Sequence, residues 1–409
     1  MRILILGSGG REHAIAWKLS QTPDVQLFAC PGNPGMAEIC ASAAGDPLAY
    51  AEHIGADLTV VGPEAPLAQG IVDRFRSAGK LIVGPVQAAA RLEASKSYAK
   101  EIMQRAGVPT AKSITAASVQ DALGALKHFP LPVVLKADGL AAGKGVVIAH
   151  TREEAESAAR QLLQLAPPLV IEEFLDGEEV SFIVLSDGRR SLAFDATQDH
   201  KAVHDGDRGP NTGGMGAYCD GRILDRAEKE RVMDTIIEPV IATMRASGTP
   251  FTGFLYAGLM MTAAGARVLE FNARLGDPET QVLMHRMEGD FAAPLLAAAG
   301  GDLGASAFSW HGDPSVCVVL AASGYPGDVR SGDLITGIEE APATIFQAGT
   351  RRTARGLETS GGRVLGVTAS GNDLETAIRN AYAAAEKIRF DGMHYRKDIG
   401  AKGLKRWRA

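Results

Sequence analysis

Four short aliphatic segments alternate with helical patterns at the start of the chain, at residues 2–6, 26–29, 58–61 and 81–83. This alternation indicates strands joined by crossover helices. Such helices return the chain to the same end of the sheet, so the strands that they join run parallel. Ligands of parallel sheets bind beyond the carboxyl ends of the strands. We therefore expect an N-terminal parallel α/β domain whose ligand-binding loops are residues 7–11, 31–35, 62–66 and 84–85.

The rest of the chain mixes strands and helices in a different order. Helices capped by Ser118 and Thr151 lie among strands predicted at residues 133–137, 146–149, 169–174 and 180–185. This order is typical of a small α+β lid. Two further strands are predicted at residues 254–262 and 267–272, and a last helix at residues 373–388.

Composition excludes several classes of protein. Of the 409 residues, 46% are hydrophobic and 22% are charged, which is typical of a globular protein with several domains. No apolar run reaches the roughly 20 residues of a membrane-spanning helix, so we expect no membrane partner. The net charge of −6, with both signs scattered, provides no basic field for nucleic acid. The four cysteines are too far apart for a zinc site or a disulfide framework, which favours a cytoplasmic protein.

A glycine-rich segment follows the first strand and opens a helix, with the sequence Gly7-Ser8-Gly9-Gly10-Arg11-Glu12-His13. A dinucleotide fingerprint would need a third glycine where Glu12 stands and an acidic residue where Cys30 and Pro31 stand. Nicotinamide binding is therefore disfavoured. Backbone N–H groups at a helix N-terminus, together with Arg11, would instead suit a phosphate. The alternative is a tight turn with a solvated arginine.

A second glycine-rich segment, residues 136–145, lies between two predicted strands. It is not a P-loop, because Gly145 stands where Ser or Thr should follow Lys144 and a strand comes next. A glycine-rich hairpin with a lysine at its tip can fold over phosphates and open to release product. A flexible surface hairpin is the alternative.

Two further segments carry weaker signals. Residues 170–179 form a strand that runs into an acidic turn, which could offer backbone groups to an adenine edge and a carboxylate to ribose, although acidic turns are usually only solvated. The segments 199–201 and 209–216 are too glycine-rich for the interior of an element. We interpret them as a substrate-shaped loop rather than as disorder.

The most informative segment is Val268-Leu269-Glu270-Phe271-Asn272-Ala273-Arg274. Alternate residues of a strand share a face, so Glu270, Asn272 and Arg274 would line one side. The other side, facing the core, would consist of Leu269, Phe271 and Ala273. Carboxylate and amide oxygens suit Mg²⁺, which commonly bridges substrate phosphates. The alternative is a half-exposed sheet with a surface ion pair.

The segment that follows has a structural interpretation. Asp277 suits the N-cap of a helix, Pro278 its first position and Glu279 its first turn. We therefore predict no catalytic role for these two carboxylates.

Taken together, these segments resemble the phosphoribosylamine–glycine ligase family of the ATP-grasp superfamily. The resemblance spans the whole chain and rests on the number and order of the matching runs. They are Gly-Gly-Arg-Glu-His at 9–13, Val-Gly-Pro-Glu-Ala-Pro-Leu at 61–67, Lys-Ala-Asp-Gly-Leu-Ala-Ala-Gly-Lys-Gly at 136–145, Glu-Glu-Phe-Leu-Asp-Gly-Glu-Glu at 172–179, Gly-Pro-Asn-Thr-Gly-Gly-Met-Gly-Ala-Tyr at 209–218, Arg-Leu-Gly-Asp-Pro-Glu-Thr at 274–280 and Arg-Lys-Asp-Ile-Gly at 396–400.

The resemblance implies a multidomain protein of α/β and α+β class that holds ATP between two antiparallel sheets. An N-terminal parallel α/β domain would cover residues 1–100. A central ATP-grasp domain would cover residues 101–117 and 189–325, with its lid at 118–188, and a small C-terminal α+β domain would cover 326–409. We expect a monomer.

The resemblance also implies roles for individual residues. The ATP-binding residues would be Lys96, Lys136, Gly143, Glu172, Glu173, Phe174, Leu175 and Glu179. The ligands of Mg²⁺ or Mn²⁺ would be Glu270 and Asn272. The substrate-binding residues would be Gly9, Gly10, Arg11, Glu64, Asn211, Thr212, Gly213, Gly214, Arg396 and Lys397. The catalytic residues would be Arg274, Lys144 and Asp199.

The activity implied by the resemblance is an ATP-dependent ligation of glycine to 5-phosphoribosylamine. It would proceed through glycyl phosphate and give glycinamide ribonucleotide in de novo purine biosynthesis. Other possibilities are another ATP-grasp carboxylate–amine ligase and a catalytically silent nucleotide-binding module. A nicotinamide-dependent dehydrogenase is a third possibility, but the missing third glycine in the first glycine-rich segment argues against it.

Overall fold

The computed structural model describes residues 1–139 and 145–408 and arranges them around three main sheets. The strands of the N-terminal unit are β1 (Arg2–Gly7), β2 (Gln26–Pro31), β3 (Ala41–Ser42), β4 (Leu58–Val61) and β5 (Ile82–Val83). Its helices are α1 (Gly10–Leu19), α2 (Pro47–Ile54), α3 (Glu64–Ala68), α4 (Ile71–Ser77) and α5 (Gln87–Ala94), with a 3-10 turn at Met36–Glu38.

The N-terminal strands are all parallel, in the order β3-β2-β1-β4-β5. The predicted parallel α/β domain is therefore confirmed. Because β1 lies between β2 and β4, the chain winds in opposite directions on the two sides of β1. A crevice opens at such a point beyond the carboxyl ends of the strands. The loops that follow β1 and β4 form its walls.

The second unit follows α6 (Lys96–Arg105) and is built on a four-stranded sheet. Its elements are β6 (Ser113–Ala116), α7 (Val119–Leu126), β7 (Val133–Ala137), β8 (Val146–Ala149), α8 (Arg152–Leu165) and β9 (Leu169–Glu173). The strand order is β6-β9-β7-β8, and every pair is antiparallel. The side chains of Ser118 and Thr151 cap α7 and α8 as predicted, each accepting a backbone N–H three residues later.

The central unit contains most of the largest sheet. Its strands are β10 (Glu178–Asp187), β11 (Ser191–Ala193), β12 (Thr197–Asp199), β13 (Ala202–His204), β14 (Arg208–Asn211), β15 (Gly216–Cys219), β16 (Thr252–Thr262), β17 (Gly265–Asn272), β18 (Met287–Glu288) and β19 (Ser309–Trp310). Its helices are α9 (Arg226–Val232), α10 (Glu238–Ala246), α11 (Glu279–Arg286) and α12 (Ala292–Gly300), with a π-helical segment at Met233–Ile237.

The C-terminal unit continues this sheet. It comprises β20 (Ser315–Ala321), β21 (Thr344–Gln347), β22 (Thr350–Thr353), β23 (Gly356–Thr359), β24 (Arg363–Ser370), α13 (Leu374–Ala385) and α14 (Ala401–Arg408). The large sheet runs in the order β17-β16-β10-β12-β15-β20-β24-β21, with β11 beside β10. Strand β20 joins the central unit to the C-terminal unit because it pairs with β15 on one side and with β24 on the other.

The structure moves several of the predicted boundaries. A boundary at residue 100 would divide α6, which runs unbroken from Lys96 to Arg105. A lid ending at residue 188 would include β10, but β10 pairs along its whole length with β16 and belongs to the large sheet. A C-terminal domain starting at residue 326 would lose β20, the strand that pairs with β24. The last helix, α14, was not predicted.

All four cysteines are buried and free of disulfides. Within residues 1–139 and 145–408, no helix is long and apolar enough to cross a membrane.

Candidate active site

A cleft of about 500 Å³ lies at the carboxyl ends of β1, β2 and β4. It is the crevice that the strand order creates. The residues that line it are Leu6, Gly7, Ser8, Gly9, Arg11, Glu12, Cys30, Pro31, Gly45, Pro47, Pro63, Pro66 and Asp277. The predicted loops 7–11, 31–35 and 62–66 therefore each contribute to one cleft.

Glu12 holds the first glycine-rich loop together. Its two carboxylate oxygens accept hydrogen bonds from the backbone N–H of Gly9 and from Arg11 Nε, each over 2.6 Å. A Cβ at Gly62 would lie 2.0 Å from Glu12 Oε1, so only glycine lets the loop after β4 approach this carboxylate. The sequence pattern marks Glu12 only as the position where a dinucleotide fingerprint would have its third glycine. It does not predict the role of Glu12 in this loop.

Arg11 is buried and also donates to the backbone carbonyl of Leu275 over 3.0 Å. Leu275 follows the strand that carries Glu270 and Asn272. The N-terminal cleft and the end of β17 are therefore neighbours, although about 260 residues separate them in the sequence.

Arg274 lies between two carboxylates of the N-terminal half of the chain. Its Nε lies 3.3 Å from Glu64 Oε2 and its Nη2 lies 3.2 Å from Glu93 Oε1. Burial raises the pKa of Glu93, although Arg274 opposes this. Burial also opposes ionisation of Glu64, but the positive charges of Arg274 and Arg11 lower its pKa overall. The guanidinium is therefore held by charge from two directions, and Glu93 is a residue that the sequence did not reveal.

Strand β17 contains a β-bulge that changes the predicted facing of one residue. Gly258 pairs with Glu270, but its neighbour Leu259 pairs with Val268, so Leu269 is the extra residue. A bulge shifts the alternation of side chains by one position. Val268 and Phe271 are buried, whereas Leu269, predicted to face the core, is partly exposed. Glu270 and Asn272 lie on the same, partly exposed side, as predicted.

The donor set at Glu270 and Asn272 fits a hard divalent cation. Burial alone would raise the pKa of Glu270, but the positive charges of Lys201, Lys136 and Lys96 lower it, which keeps the carboxylate ionised. No group of three or more His, Cys, Asp or Glu side chains in the described ranges is arranged to hold a metal ion. Two protein oxygens would leave most positions of Mg²⁺ for water and phosphate, which is its usual coordination.

Lys201 lies between two acidic residues at this site. Its Nζ forms an ion pair with Glu179 and lies 3.8 Å from Glu270 Oε1. Burial would lower the pKa of Lys201, but Glu179, Asp199 and Glu270 raise it well above its usual range. Burial and the neighbouring carboxylates raise the pKa of Asp199 to about 8 in spite of Lys201. Lys201 was predicted only as part of a loop.

A pair of lysines from α6 and β7 shares one carboxylate. Glu172 lies 3.0 Å from Lys100 Nζ and 2.9 Å from Lys136 Nζ, and all three side chains are at most 10% exposed. Lys136 also donates to the carbonyl of Leu269, the bulge residue, over 2.9 Å. The bulge therefore fixes the amine of Lys136 next to Glu270. Lys100 was not predicted.

The other predicted nucleotide-binding residues lie around these lysines. Lys96 donates from Nζ to the carbonyl of Gly139 over 2.8 Å, and its backbone N–H is bound by Asp138. Glu173 pairs with Arg267 over 3.0 Å. Phe174 is exposed and Leu175 is buried at the end of β9. Gly143 and Lys144 lie outside the described residues.

The loop after β14 is fixed on both sides. Thr212 donates from its backbone N–H and its Oγ1 to the carbonyl of Lys201 over 2.7 and 2.9 Å. Arg363 of β24 donates to the carbonyls of Gly213 and Asp277 over 2.6 and 2.5 Å. Asn211 and Gly213 are exposed, and Gly214 is buried.

The structure corrects the predicted helix cap at Asp277. Helix α11 begins at Glu279, with Pro278 in the N-cap position. The Asp277 carboxylate instead accepts from Gln281 Nε2 over 2.8 Å and lies 3.2 Å from Arg363 Nη2, at the wall of the cleft. Glu279 is buried and accepts a hydrogen bond from Ser181 Oγ over 3.2 Å. The cap pattern of the sequence hid both arrangements, since Arg363 and Ser181 come from distant strands.

Arg396 and Lys397 are the last two of the predicted substrate-binding residues. The Arg396 side chain is completely buried and pairs with Asp207 and Asp398 over 3.0 and 2.7 Å. Lys397 is exposed. Neither is among the described residues that line the 500 Å³ cleft.

Comparison with known proteins matches the chain along its length. The N domain, the ATP-grasp (A) domain and the C domain of phosphoribosylglycinamide synthetase match residues 1–93, 94–280 and 315–402. The phosphoribosylamine–glycine ligase of Yersinia pestis is 46% identical over 99% of this chain and 100% of that protein. The enzyme of the same name from Pseudomonas aeruginosa is 47% identical over 100% of this chain and 99% of that protein.

Two solved structures resemble the chain to different degrees. The crystal structure of phosphoribosylamine–glycine ligase from Thermotoga maritima has a TM-score of 0.88 at 35% identity, over 98% of this chain and 100% of that one. The biotin carboxylase domain of Hydrogenobacter thermophilus 2-oxoglutarate carboxylase has a TM-score of 0.73 at 17% identity, over 96% of this chain and 91% of that one, and shares the fold alone. The predicted three-domain architecture with a central ATP-grasp domain is confirmed, and the chain belongs to the phosphoribosylglycinamide synthetase family.

Proposed function

We propose that this protein joins glycine to 5-phosphoribosylamine in an ATP-dependent reaction that yields glycinamide ribonucleotide, ADP and phosphate, a step of de novo purine biosynthesis. The observation that carries the proposal is the course of β17. The positive charges of Lys96, Lys136 and Lys201 act on Glu270. Arg274, two residues after Asn272, reaches Glu64 and Glu93. One strand therefore connects a site suited to a triphosphate with a cleft suited to a phosphorylated amine.

The reaction needs an activated carboxyl group, because a carboxylate resists attack by an amine. In the first step, a glycine carboxylate oxygen attacks the γ-phosphorus of ATP, and the bond to ADP breaks. In the second, the amine of phosphoribosylamine attacks the carbonyl carbon of glycyl phosphate, and phosphate leaves with the bonding electrons. The amine loses one proton as the amide forms. Both steps require positioning and charge rather than a covalent nucleophile on the protein.

The first step brings like charges together. One negative charge at 4 Å from another costs about 4 kcal/mol at an effective dielectric constant of 20, and a triphosphate carries several. Lys96, Lys136 and Arg274 would reduce this repulsion, and Lys144 would add a further cation. Burial and the neighbouring carboxylates favour the protonated form of Asp199, whereas Lys201 opposes it.

Glu270 and Asn272 would hold Mg²⁺ or Mn²⁺, which would neutralise triphosphate charge when bound. The ionised carboxylate and the amide oxygen of these residues support this assignment.

The family resemblance assigns the remaining roles. Residues 172–175, together with Gly143, would contact the nucleotide, mainly through backbone groups at 172, because lysines occupy the Glu172 carboxylate. Glu179 would hold the ribose. Glycine would bind between Arg274 and the loop formed by Asn211, Thr212, Gly213 and Gly214. Phosphoribosylamine would bind in the cleft that Gly9 and Arg11 line. Gly10 and Glu64, which neighbour lining residues in the sequence, would complete its site.

Isotopic oxygen tests the acyl phosphate route. Glycine labelled in its carboxylate should transfer one labelled oxygen to each phosphate released, because that oxygen bridges to phosphorus in the first step. Label confined to the amide product and unreacted glycine during turnover would contradict the mechanism.

ADP release tests the substrates themselves. It should require glycine and freshly made phosphoribosylamine together, so each is omitted in turn. Release that ignores either omission would contradict the proposed substrates, and ATP binding without any release would support a silent nucleotide-binding module.

A further inference from the structure

The C-terminal segment 396–402 forms hydrogen bonds and ion pairs with the tip of a hairpin in the central unit. This hairpin consists of β13 and β14 with the turn 205–207 between them. The backbone N–H of Gly206 donates to Asp398 Oδ2, and the backbone N–H of Lys397 donates to Asp205 Oδ1, both over 2.8 Å. Asp207 lies 3.0 Å from Arg396 Nη1 and 2.7 Å from Lys402 Nζ. Every residue of the turn is therefore bound by the segment.

Arg396 organises these contacts. Its Nε and Nη2 donate to the two oxygens of Asp398, each over 2.7 Å, in the bidentate geometry that holds a guanidinium most firmly. Its Nη1 donates to Asp207 Oδ1 and to the carbonyl of Ala202, the first residue of the hairpin, over 3.0 and 3.1 Å. Since the side chain is completely buried and its three nitrogens are engaged within the protein, it is poorly placed to touch a substrate.

The base of the hairpin reaches the candidate active site. Lys201 immediately precedes the hairpin and Thr212 immediately follows it, and Thr212 donates twice to the carbonyl of Lys201. The amine of Lys201 lies beside Glu179 and Glu270. Thr212 Oγ1 in turn accepts the backbone N–H of Gly214 over 2.9 Å. The two ends of the hairpin therefore carry an active-site lysine and the loop 211–214.

We infer that residues 396–402 form a clamp that positions Lys201 and the loop 211–214 through the hairpin, and that Arg396 is a positioning residue rather than a group that binds phosphoribosylamine. The inference rests on the proposed function, because the proposed function assigns the loop 211–214 to the binding of glycine. The clamp restricts the hairpin to one orientation, so the loop meets glycine already in place. Preorganised groups bind more tightly because less freedom is lost on binding.

Asp207→Asn is the most direct test. Asp207 has a backbone φ of 55°, a conformation that asparagine tolerates well, and its side chain is 45% exposed. The substitution removes the charge that pairs with Arg396 and Lys402 and keeps the size and the turn. We expect the KM for glycine to rise at least fivefold, with the KM for phosphoribosylamine changed less than twofold. Arg396→Lys should act in the same direction because lysine cannot form the bidentate pair.

Asp391→Asn is a matched control. Asp391 also pairs with an arginine of the C-terminal unit, at 2.6 Å from Arg330 Nη2. In the part of the chain that the structure describes, no hydrogen bond or ion pair joins Asp391 to the hairpin. This variant should leave both KM values unchanged within twofold. Equal effects of Asp391→Asn and Asp207→Asn would overturn the inference, since they would indicate a general change in the C-terminal unit.

Hydrogen exchange provides a readout that does not depend on turnover. Backbone amides of residues 202–214 should exchange at least tenfold faster in Asp207→Asn than in the unsubstituted protein, and those of β17 should not change. Unaltered exchange, or a KM change limited to phosphoribosylamine, would overturn the clamp and favour direct binding by Arg396. If the unsubstituted protein lacked glycine-dependent turnover, the proposed function would fail, while exchange would still decide whether the clamp exists.

Discussion

Arg274 Nη2 lies 3.2 Å from Glu93 Oε1, and the other oxygen of Glu93 accepts the backbone N–H of Ala273 over 2.8 Å. One carboxylate at the end of α5 thus holds both the side chain of Arg274 and the backbone next to it. The Glu93 side chain is 8% exposed, so solvent weakens this ion pair little. The position of the guanidinium at the end of β17 is therefore set by the N-terminal unit.

Arg274→Lys should reduce kcat/KM for glycine about 100-fold, which corresponds to about 2.7 kcal/mol of transition-state stabilisation. A lysine ammonium is a compact charge that cannot bridge Glu64 and Glu93 while facing the substrate. Steady-state kinetics at varied glycine concentration measures the loss. Arg226→Lys, at an exposed pair with Glu230, is the control and should retain full activity. Near-normal kinetics of Arg274→Lys would remove Arg274 from the proposed mechanism.

Glu270→Gln should lower kcat at least 100-fold and raise the Mg²⁺ concentration needed for half-maximal rate. The amide keeps the shape of the side chain but loses the charge that attracts the cation. The measurement is a Mg²⁺ titration of turnover, with circular dichroism to verify folding. Glu178→Gln, on the same sheet and 46% exposed, should behave like the unsubstituted protein. A normal Mg²⁺ dependence of Glu270→Gln would show the metal assignment to be mistaken.

Glu172→Gln should destabilise the protein far more than Glu173→Gln. Removing the charge of Glu172 leaves two buried lysines without their shared partner, a loss of about 3–5 kcal/mol for a buried pair. The pair between Glu173 and Arg267 is more exposed and contributes at most about 1 kcal/mol. The midpoints of urea unfolding compare these neighbouring residues directly. Equal midpoints would mean that Glu172 does not hold Lys100 and Lys136 in place.

Stability should fall as the pH drops from about 6.5 to about 4, because burial lowers the pKa of His13, His200 and His285 to about 4. Each ring is neutral in the folded protein but takes up a proton near pH 6.5 once the chain is unfolded. The stabilisation from keeping the ring neutral is therefore complete above pH 6.5 and is lost progressively as the pH falls toward 4. For one histidine the loss is on the order of 3 kcal/mol.

His13→Asn should make this pH dependence shallower. His13 Nδ1 accepts the backbone N–H of Gln347 over 2.8 Å, and an asparagine oxygen can accept the same bond without titrating. Thermal unfolding midpoints from pH 7 to pH 4.5 would be compared between the two proteins. Parallel curves would indicate that His13 is protonated in the folded state as well.

Much of the fold could be predicted because its signals are local. The strand at Val133–Ala137 and the cap at Thr151 agree with the structure to the residue, since alternation and capping depend on neighbours in sequence. Strand β10 was correctly located, but its sheet was not, because pairing with β16 joins residues more than sixty positions apart. Domain boundaries depend on such pairings, which no local pattern in the sequence reveals.

In the candidate site too, local relationships could be predicted from the sequence and long-range contacts could not. Glu270 and Asn272 share one short strand and Arg274 follows it by two residues, so their proximity follows from the sequence. Glu93 and Lys100 come from helices α5 and α6 and have no motif of their own, because their roles arise only when the units pack together. The bulge at Leu269 was equally hidden, since it exists only in the pairing of β17 with β16.

The passage of the large sheet through β20 limits how this protein can be divided. Strand β15 is fully buried and pairs with β20. A fragment ending before Ser315 would therefore expose the edge of β15, with its backbone N–H and C=O groups unpaired on that side. Such an edge attracts other strands and promotes aggregation. Fragments cut at the ends of the family's domain matches would therefore be poor substitutes for the intact chain, and grafts between relatives should exchange β15 and β20 together.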